Sequence, residues 1–324
     1  MPTTRRAGVE QVIDRQIAGN LFDSASHDPA PHESASYDAG AWFRETNVKL
    51  PEVVLRVAWG PPNGAPLLCL HGVGRSWRDF MPLLPAFIPG WSVVAPDLRG
   101  HGGSARTPDR YLIRDFLADV TALLRQLERP AVIYGHSLGA MLAALVAADC
   151  PDRVLAVIAE DPPSPGFLER LHETPYGPLF VAMQKLAGST RDVSAIACQL
   201  ADVVLGNAGG GRPLRLRDVR DGASIRFSAR WLCDLDPAVC TPILECRWRE
   251  GLDFPAVWSR IKCPTLVLAG DEASGGMLPA ADAQDIINRL ADGTLVEFPQ
   301  IGHQIHWLAR EATLRVVIGF LGSL

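Results

Sequence analysis

The sequence predicts an α/β protein with a mostly parallel central sheet flanked by helices. Short apolar runs alternate with longer segments of helical period along most of the 324 residues. Strands buried on both faces of a parallel sheet read as such continuous apolar runs. The alternation stops between Ala159 and Thr265, where apolar residues repeat at helical spacing instead. We therefore expect an α-helical cap inserted after the sixth strand.

The composition is that of an ordinary globular protein. Hydrophobic residues make up 48% of the chain and charged residues 21%, close to average soluble usage. A formal net charge of −5 argues against a protein dedicated to binding nucleic acid or an anionic membrane, because such a protein needs a basic face. No apolar run approaches the roughly 20 residues that cross a bilayer. The sequence predicts no nucleic-acid partner and no membrane association.

The N-terminus and the cysteines bear on location and on metals. The first residues combine two arginines with acids and amides, whereas a signal peptide needs an apolar core. A cytoplasmic location is therefore expected. The seven cysteines are scattered and form no CxxC pair. Because Cys233, Cys240 and Cys246 match no usual zinc spacing, we expect reduced thiols and no metal.

The elements divide the chain into three parts. Residues 1–48 are polar and are expected to form an N-terminal arm, with one short helix near Val9–Ala18. Residues 49–161 and 263–324 are expected to form the core, and residues 162–262 the cap. The predicted strands are Val53–Ala58, Leu67–Leu70, Ser92–Ala95, Ala131–Tyr134, Val154–Ala159, Thr265–Ala269 and Thr294–Phe298.

A nucleophile motif follows the fourth of these predicted strands. Ala131–Tyr134 runs into the sequence GHSLG at Gly135–Gly139, and a helical segment comes directly after it. The pattern G-x-S-x-G between a strand and a helix presents a serine on a strained turn at a helix N-terminus. The motif therefore predicts Ser137 as a nucleophile. His136 is expected to be a turn residue, because neighbouring side chains diverge there.

The loop after Leu67–Leu70 is the expected source of an oxyanion hole. This strand ends in the sequence HGVG, which begins at His71. Backbone N–H groups of such a loop and of the residue after the nucleophile stabilise a developing oxyanion. We expect the donors to be Val73, or Gly72 one residue earlier, together with Leu138. His71 is expected to fix the loop by hydrogen bonds.

The candidate general base comes after the last predicted strand. Thr294–Phe298 leads through a short loop to Gly302 and His303. Glycine lets a loop bring the imidazole close to the serine, so His303 is the predicted base. His306 is the alternative, although the spacing places it in the next helix.

Together these motifs resemble the α/β-hydrolase superfamily, in its serine-nucleophile branch with a helical cap. The resemblance rests on HGVG, GHSLG, the late Gly-His and the loop Asp97–Ser104, which is similar to the D-x-R-G-x-G-x-S loop of that superfamily. It covers roughly residues 48–161 and 262–324. The resemblance implies the α/β-hydrolase fold, and in that loop it implies a structural role for Arg99.

The acid of the expected triad departs from the commoner pattern. Many members supply it from a G-x-x-D turn, but here Thr265–Ala269 leads into a turn with alanine at the fourth position. Haloalkane dehalogenases and zearalenone lactonases place the acid after the sixth strand instead. Resemblance to those branches implies Asp161 as the acid, with Glu160 and Asp271 as alternatives. An N-cap for the cap segment is the other interpretation of Asp161.

The predicted chemistry is acyl transfer to water. Dehalogenases and epoxide hydrolases would require aspartate at position 137, whereas serine implies an acyl-enzyme and no cofactor. An aromatic-rich cap, with Trp231, Trp248 and Trp258 as expected pocket residues, favours a small hydrophobic or aromatic ester or lactone. The closest resemblance is to zearalenone lactonases. A carbon–carbon hydrolase of ring-cleavage products and a non-catalytic ligand receptor are the alternatives, and homo-oligomer formation stays open.

Overall fold

A computed structural model describes residues 42–207 and 211–324. The helix predicted near Val9–Ala18 lies outside these residues. The strands of the main sheet are β1 (Arg44–Lys49), β2 (Val54–Trp59), β3 (Ala65–Leu70), β4 (Trp91–Pro96), β5 (Ala131–His136), β6 (Val154–Glu160), β9 (Thr265–Gly270) and β10 (Gly293–Phe298). Their spatial order is β1-β2-β4-β3-β5-β6-β9-β10. Only the β1–β2 and β2–β4 pairings are antiparallel.

Helices separate most of these strands. They are α1 (Leu84–Phe87), α2 (Ile113–Gln126), α3 (Leu138–Asp149), α4 (Pro165–Glu169), α5 (Tyr176–Leu186), α6 (Val193–Ala201), α7 (Leu216–Val219), α8 (Gly222–Cys233), α9 (Thr241–Leu244), α10 (Phe254–Arg260), α11 (Ala280–Arg289), α12 (Ile305–Leu308) and α13 (Arg310–Leu321). None of the described helices combines the length and the apolar character that a bilayer crossing demands.

Strand β5 and helix α3 form the centre of the molecule. Every residue of β5 is buried, as expected for an inner strand of a parallel sheet covered on both faces. Helix α3 is apolar nearly all round, and ten of its twelve residues are buried. A helix without a polar face must be covered on all sides. The turn that carries Ser137 therefore lies between two buried elements of the core.

The first strand lies partly within the predicted N-terminal arm. The sequence predicts an arm over residues 1–48, but in the structure Arg44–Lys49 pairs with β2 along its whole length. The sequence RETNVK has no apolar run because this strand is at the edge of the sheet and most of it is partly exposed. Polar edge strands avoid pairing with other chains, and they are therefore hard to recognise from hydrophobicity.

The cap segment between β6 and β9 is mainly helical, and it also contains a small hairpin. Helices α4–α10 fall in this interval. The prediction of no strand there was wrong, because β7 (Val204–Asn207) and β8 (Pro213–Arg215) pair antiparallel. Strands of four and three residues are too short to show a period of two.

Buried polar contacts join the cap to the core. The Tyr111 hydroxyl donates to Asp236 Oδ2 at 2.7 Å, and the Asp236 N–H donates to the Gly100 carbonyl at 2.8 Å. Next to this contact, Arg99 makes a two-bond ion pair with Asp119, at 2.6 and 2.7 Å. Paired bonds of this kind hold a guanidinium in one orientation. The Asp97–Ser104 loop is thus a structural support beneath the cap.

The close packing of α3 against β3 gives a test of the fold. A Cβ on Gly139 would lie 1.9 Å from the Leu70 carbonyl oxygen, which is backbone and cannot move aside cheaply. We expect Gly139→Ala to lower the free energy of unfolding by about 1–3 kcal/mol, measured by urea denaturation. Gly166→Ala is the matched control, because a Cβ there meets no atom within 4 Å. Equal stability of the two variants would contradict this packing.

Candidate active site

Ser137 occupies a strained turn between β5 and α3. Its backbone has φ 56° and ψ −118°, a region that side-chain-bearing residues rarely adopt and that is found at functional sites. The turn closes because its glycines lack side chains: a Cβ on Gly135 would lie 2.0 Å from the Gly139 carbonyl oxygen. The Ser137 N–H donates to the Glu160 carbonyl at 2.9 Å, which ties the turn to the end of β6.

Two backbone N–H groups beside Ser137 are available to an oxyanion. In the described part of the chain, the Val73 and Leu138 N–H groups donate to no protein acceptor. Leu138 opens helix α3, where unpaired N–H groups favour negative charge. A Cβ on Gly72 would lie 3.0 Å from Ser137 Cβ, so the two loops touch. Donors for an oxyanion and the serine therefore face one site.

Two buried histidines hold the loop that carries Val73. His71 donates from Nδ1 to the Gly72 carbonyl at 2.8 Å and accepts the Leu98 N–H at Nε2, at 2.9 Å. His101 Nε2 accepts the Gly74 N–H at 3.1 Å. Burial lowers the pKa of His71 to about 4 and that of His101 to about 3. Both rings are therefore neutral at pH 7, as these hydrogen bonds require.

His303 and Asp161 form a buried pair next to Ser137. His303 Nδ1 lies 2.6 Å from Asp161 Oδ2. The same carboxylate accepts the Gly270 N–H on Oδ1 at 2.9 Å and the Met277 N–H on Oδ2 at 2.8 Å. These contacts hold the carboxylate in place and orient the imidazole through Nδ1–H, which leaves Nε2 as the proton acceptor. Asp161 itself has φ 44°, a second strained position at this site.

Burial is the main influence on the protonation of His303. It lowers the pKa of His303 to about 4, with the Asp161 hydrogen bond opposing this effect and the neighbouring His136 adding to it. The imidazole is therefore neutral at pH 7. A neutral imidazole is the form that accepts a proton from a hydroxyl group.

Asp271, the alternative acid from the commoner turn, makes hydrogen bonds within its own turn and with the loop after β10. Its carboxylate accepts the Ala273 N–H at 3.0 Å, the Ser274 hydroxyl at 2.9 Å and the Gln300 N–H at 3.1 Å. It caps a partly exposed turn and makes no hydrogen bond with His303. The two-residue difference between Asp271 and the usual position of the acid, where Ala273 stands, therefore corresponds to a different direction of the side chain.

Glu160, the other alternative acid, pairs with the other candidate base. Its Oε1 lies 2.7 Å from His306 Nδ1 and accepts the His306 N–H at 3.0 Å, while Oε2 accepts the Tyr134 hydroxyl at 2.7 Å. His306 lies in α12 as the spacing predicted, and its side chain is fully buried. Glu160 and His306 thus form a second acid–histidine pair behind the first.

Asp79 completes this second cluster. It is not among the site residues predicted from the sequence. Its Oδ2 lies 3.5 Å from both His136 Nδ1 and His306 Nε2, and its Oδ1 accepts the Trp307 indole N–H at 2.9 Å. No local motif marks this aspartate, because its partners come from distant parts of the chain. His136 Nε2 donates to the His303 carbonyl at 2.9 Å, so the cluster supports the backbone of the candidate base.

The two histidine pairs differ sharply in protonation. Burial lowers the pKa of His306, but the charges of Glu160 and Asp79 outweigh it and raise the pKa to about 10. Burial raises the pKa of Glu160, but His306 outweighs it and lowers that pKa to about 2. His306 is therefore a permanent imidazolium between two carboxylates. Opposite environments for similar groups are typical of catalytic centres.

A metal ion has one conceivable location among the described residues. One ligand atom each from His136, Glu160 and His306 lies within 4.8 Å of the others. Glu160 and His306 are already paired with each other, and the His136 Nε2–H is bound to the His303 carbonyl. The charges of His306 and Asp79 compensate one another there, so the arrangement favours an internal ion-pair network.

A largely apolar cleft leads to Ser137. Its walls come from the core loops and from the cap. The lining residues are Gly72, Val73, Gly74, Arg75, His136, Ser137, Tyr176, Leu179, Phe180, Met183, Leu200, Leu216, Arg220, Ser228, Leu232, Met277, His303 and Gln304. An outer groove adjoins it and shares Tyr176, Arg220 and His303 with it.

The three tryptophans expected in the pocket do not line this cleft. Trp248 is packed in the hydrophobic core, and Trp258 faces a separate cavity beside Pro162–Gly166. Trp231 lies behind the cleft, where the Arg75 guanidinium stacks on its ring at 4.6 Å. The prediction was wrong because large aromatic side chains bury the most area when they pack within the cap. Smaller apolar residues line the cleft instead.

Known proteins share this architecture along most of the chain. A pimeloyl-[acyl-carrier protein] methyl ester esterase of Aromatoleum aromaticum is 30% identical over 268 residues, 74% of this chain and 92% of its own. A 2-hydroxymuconate semialdehyde hydrolase of Pseudomonas is 28% identical over 263 residues, 78% and 85% of the two chains. Other relatives match over only about a third of their length.

A solved structure and a family model extend the comparison. The enol-lactonase from Burkholderia xenovorans superposes with a TM-score of 0.65 at 18% identity, covering 86% of this chain and all of its own. At that identity the likeness shows the fold. The model of the alpha/beta hydrolase family matches residues 67–316. With the sheet order, the serine turn and the histidine–carboxylate pair described above, the chain belongs to the alpha/beta hydrolase family.

Proposed function

We propose that this protein is a serine hydrolase that cleaves a carboxylic ester or lactone with an apolar body. The observation that carries the proposal is the convergence on one cleft of Ser137, held in a strained turn, and the buried pair His303–Asp161. The free N–H groups of Val73 and Leu138 beside the serine supply the second requirement of acyl transfer. We assign Ser137 as nucleophile, His303 as base and Asp161 as the acid that orients it.

The reaction proceeds in two halves. His303 Nε2 takes the hydroxyl proton as Ser137 Oγ attacks the ester carbonyl, and the Val73 and Leu138 N–H groups hold the oxyanion. Collapse breaks the bond to the alcohol oxygen, which leaves with the proton from His303. Water then attacks the acyl-enzyme, again giving a proton to His303, and the acid is released as Ser137 is regenerated. Asp161 stabilises the imidazolium in both halves.

The apolar walls of the cleft favour an apolar acyl or lactone group. On the cap side, Leu179, Phe180, Met183 and Leu232 are among the apolar residues that line the cleft. Burying a hydrophobic substrate against such walls contributes roughly 25 cal/mol per Å² of apolar area. The cleavage of a zearalenone-type lactone remains a prediction from sequence resemblance. The enol-lactonase described above has the same fold, so this fold is compatible with lactone cleavage.

Carbon–carbon bond hydrolysis is the second candidate. The 2-hydroxymuconate semialdehyde hydrolase described above is similar over most of its length, and such an activity needs the same three groups. A dienoate ring-cleavage product would be cleaved between carbons rather than at an ester oxygen. Turnover of a dienoate with no turnover of esters would favour this candidate.

The nucleophile gives the direct test. We expect Ser137→Ala to reduce kcat on 4-nitrophenyl butyrate by at least about 10³-fold, with an unchanged circular dichroism spectrum. A fluorophosphonate should add its mass to Ser137 of the wild type and not to this variant. Ser259→Ala is the control, because Ser259 is exposed on α10. A resorcylic lactone and a dienoate are assayed alongside the ester. Labelling elsewhere, or undiminished activity, would refute the assignment.

The acid assignment predicts a ranking of two conservative variants. Asp161→Asn should lower kcat by about 10⁴-fold, as in the serine-protease precedent, because the amide no longer stabilises the correct tautomer and the imidazolium. Asp271→Asn should change kcat by less than about threefold, since its carboxylate only caps a surface turn. Steady-state kinetics with thermal melts of both variants checks this. The opposite ranking would return the acid to Asp271.

The protonation of His303 predicts the acid limb of the pH profile. Because the base works only when neutral, activity is present above its pKa and is lost as pH falls through it. With that pKa lowered to about 4, kcat/KM should still be near its maximum at pH 6 and should be half-lost near pH 4. Circular dichroism at each pH separates titration from unfolding. A midpoint at or above 6.5, the ordinary histidine pKa, would contradict the buried environment described here.

A further inference from the structure

Two arginines face the apolar cleft that contains Ser137. Arg75 comes from the core, in the loop after β3, and Arg220 comes from the cap, directly after α7. The described residues that line the cleft include neither aspartate nor glutamate. Positive charge in an otherwise apolar wall is costly unless an anion accompanies it.

Arg75 is held rigidly and is largely buried. Its guanidinium stacks on Trp231 at 4.6 Å, and its Nη1 lies 3.9 Å from Asp79 Oδ1. Burial lowers the pKa of Arg75 to about 10, Asp79 opposes this, and the neighbouring Arg220 lowers it further. Arg75 is therefore cationic at pH 7, and it feels the charge of Arg220 across the cleft.

Arg220 lacks the carboxylate partner that two other arginines of the cap have. Arg217 pairs with Asp202 at 2.7 Å and Arg230 pairs with Asp234 at 2.9 Å. Among the residues that the structure describes, no carboxylate forms an ion pair with Arg220. This half-buried side chain lies where the inner cleft joins the outer groove, since it lines both. Arg220 therefore borders both spaces.

The charged side chains around the cleft leave one positive charge unbalanced. The carboxylates of Asp79 and Glu160 balance the cations of Arg75 and His306. Asp161 is occupied by His303 and two backbone N–H groups. Of the two described arginines that line the cleft, Arg220 is the one without a carboxylate partner. A single negative charge, as on a carboxylate, matches this excess, whereas a phosphate monoester would bring about two charges at pH 7.

We propose that the substrate carries a free carboxylate besides its scissile ester, and that Arg220 binds this carboxylate with Arg75 beside it. The proposal rests on the serine hydrolase function above and narrows its substrate class to acidic esters or lactones with an apolar body. Guanidinium groups recognise carboxylates by paired, charge-assisted hydrogen bonds. The ester carbonyl then lies against Ser137 while the anionic end stays near the entrance.

The test compares two esters that differ in one charge. The first is 4-nitrophenyl hydrogen glutarate, which has a free carboxylate, and the second is its neutral amide, 4-nitrophenyl 4-carbamoylbutanoate. We expect the wild type to favour the acid by at least about 10-fold in kcat/KM. Arg220→Gln should lower kcat/KM for the acid by about 10- to 100-fold, mainly through KM. For the amide it should change kcat/KM by less than about threefold.

A matched control isolates the position of the charge. Arg217→Gln removes the same charge three residues away, where the arginine pairs with Asp202 outside the cleft, and it should leave the acid-to-amide preference unchanged. Arg220→Lys should recover part of the preference, because it restores charge without the two-bond geometry. No preference in the wild type, or equal losses on both esters in Arg220→Gln, would overturn the proposal.

A binding experiment separates this proposal from the proposed function. Calorimetric titration of Ser137→Ala with each ester needs no turnover. The acid should bind at least about 10-fold more tightly than the amide, and adding Arg220→Gln should abolish the difference. Equal binding of the two esters overturns the carboxylate site even if both are hydrolysed. Preferential binding of the acid without hydrolysis by the wild type upholds the site and refutes the ester hydrolase instead.

Discussion

The carboxylate of Asp161 is the contact on which the site depends. It accepts N–H groups from Gly270 at the end of β9, from Met277 in the following loop and from His303 in the loop after β10. The segments that follow β9 and β10 are thereby joined to the end of β6. A fully buried carboxylate is tolerable only because it is satisfied by several donors. The same contacts that stabilise it also orient the imidazole beside Ser137.

Two adjacent acids serve two different histidines because strand geometry separates them. Glu160 ends β6 and Asp161 follows it, so their side chains leave the sheet in different directions. Glu160 reaches His306 and Tyr134, whereas Asp161 reaches His303. His306 is protonated at pH 7, whereas His303 is neutral. His136 connects them through its bond to the His303 carbonyl, so the charged cluster supports the loop that carries His303.

The cap determines what reaches this centre. To the cleft it contributes apolar side chains and Arg220, which has no ion-pair partner among the described residues, and it is tied to the core by the buried Tyr111–Asp236 contact. The three tryptophans Trp231, Trp248 and Trp258 of the cap pack away from the cleft, whereas Tyr176 and Phe180 line it. In the core, Arg75 stacks on one of them, Trp231. The position of the Arg75 guanidinium thus depends on how Trp231 packs in the cap.

The sequence by itself determined the fold class, because local patterns carry that information, and it made Ser137 and His303 candidates through local motifs and Asp161 a candidate through resemblance to known branches. A buried parallel strand needs a continuous apolar run, and a strand-to-helix turn this tight needs Gly135 and Gly139. The tertiary structure decided the rest. The polar edge strand β1 depends on its pairing with β2, and Asp79 depends on partners such as His306 from the end of the chain. The location of the tryptophans and the isolation of Arg220 likewise depend on long-range packing. No local period or motif encodes which distant side chains surround a residue, and charge and burial are decided by those neighbours.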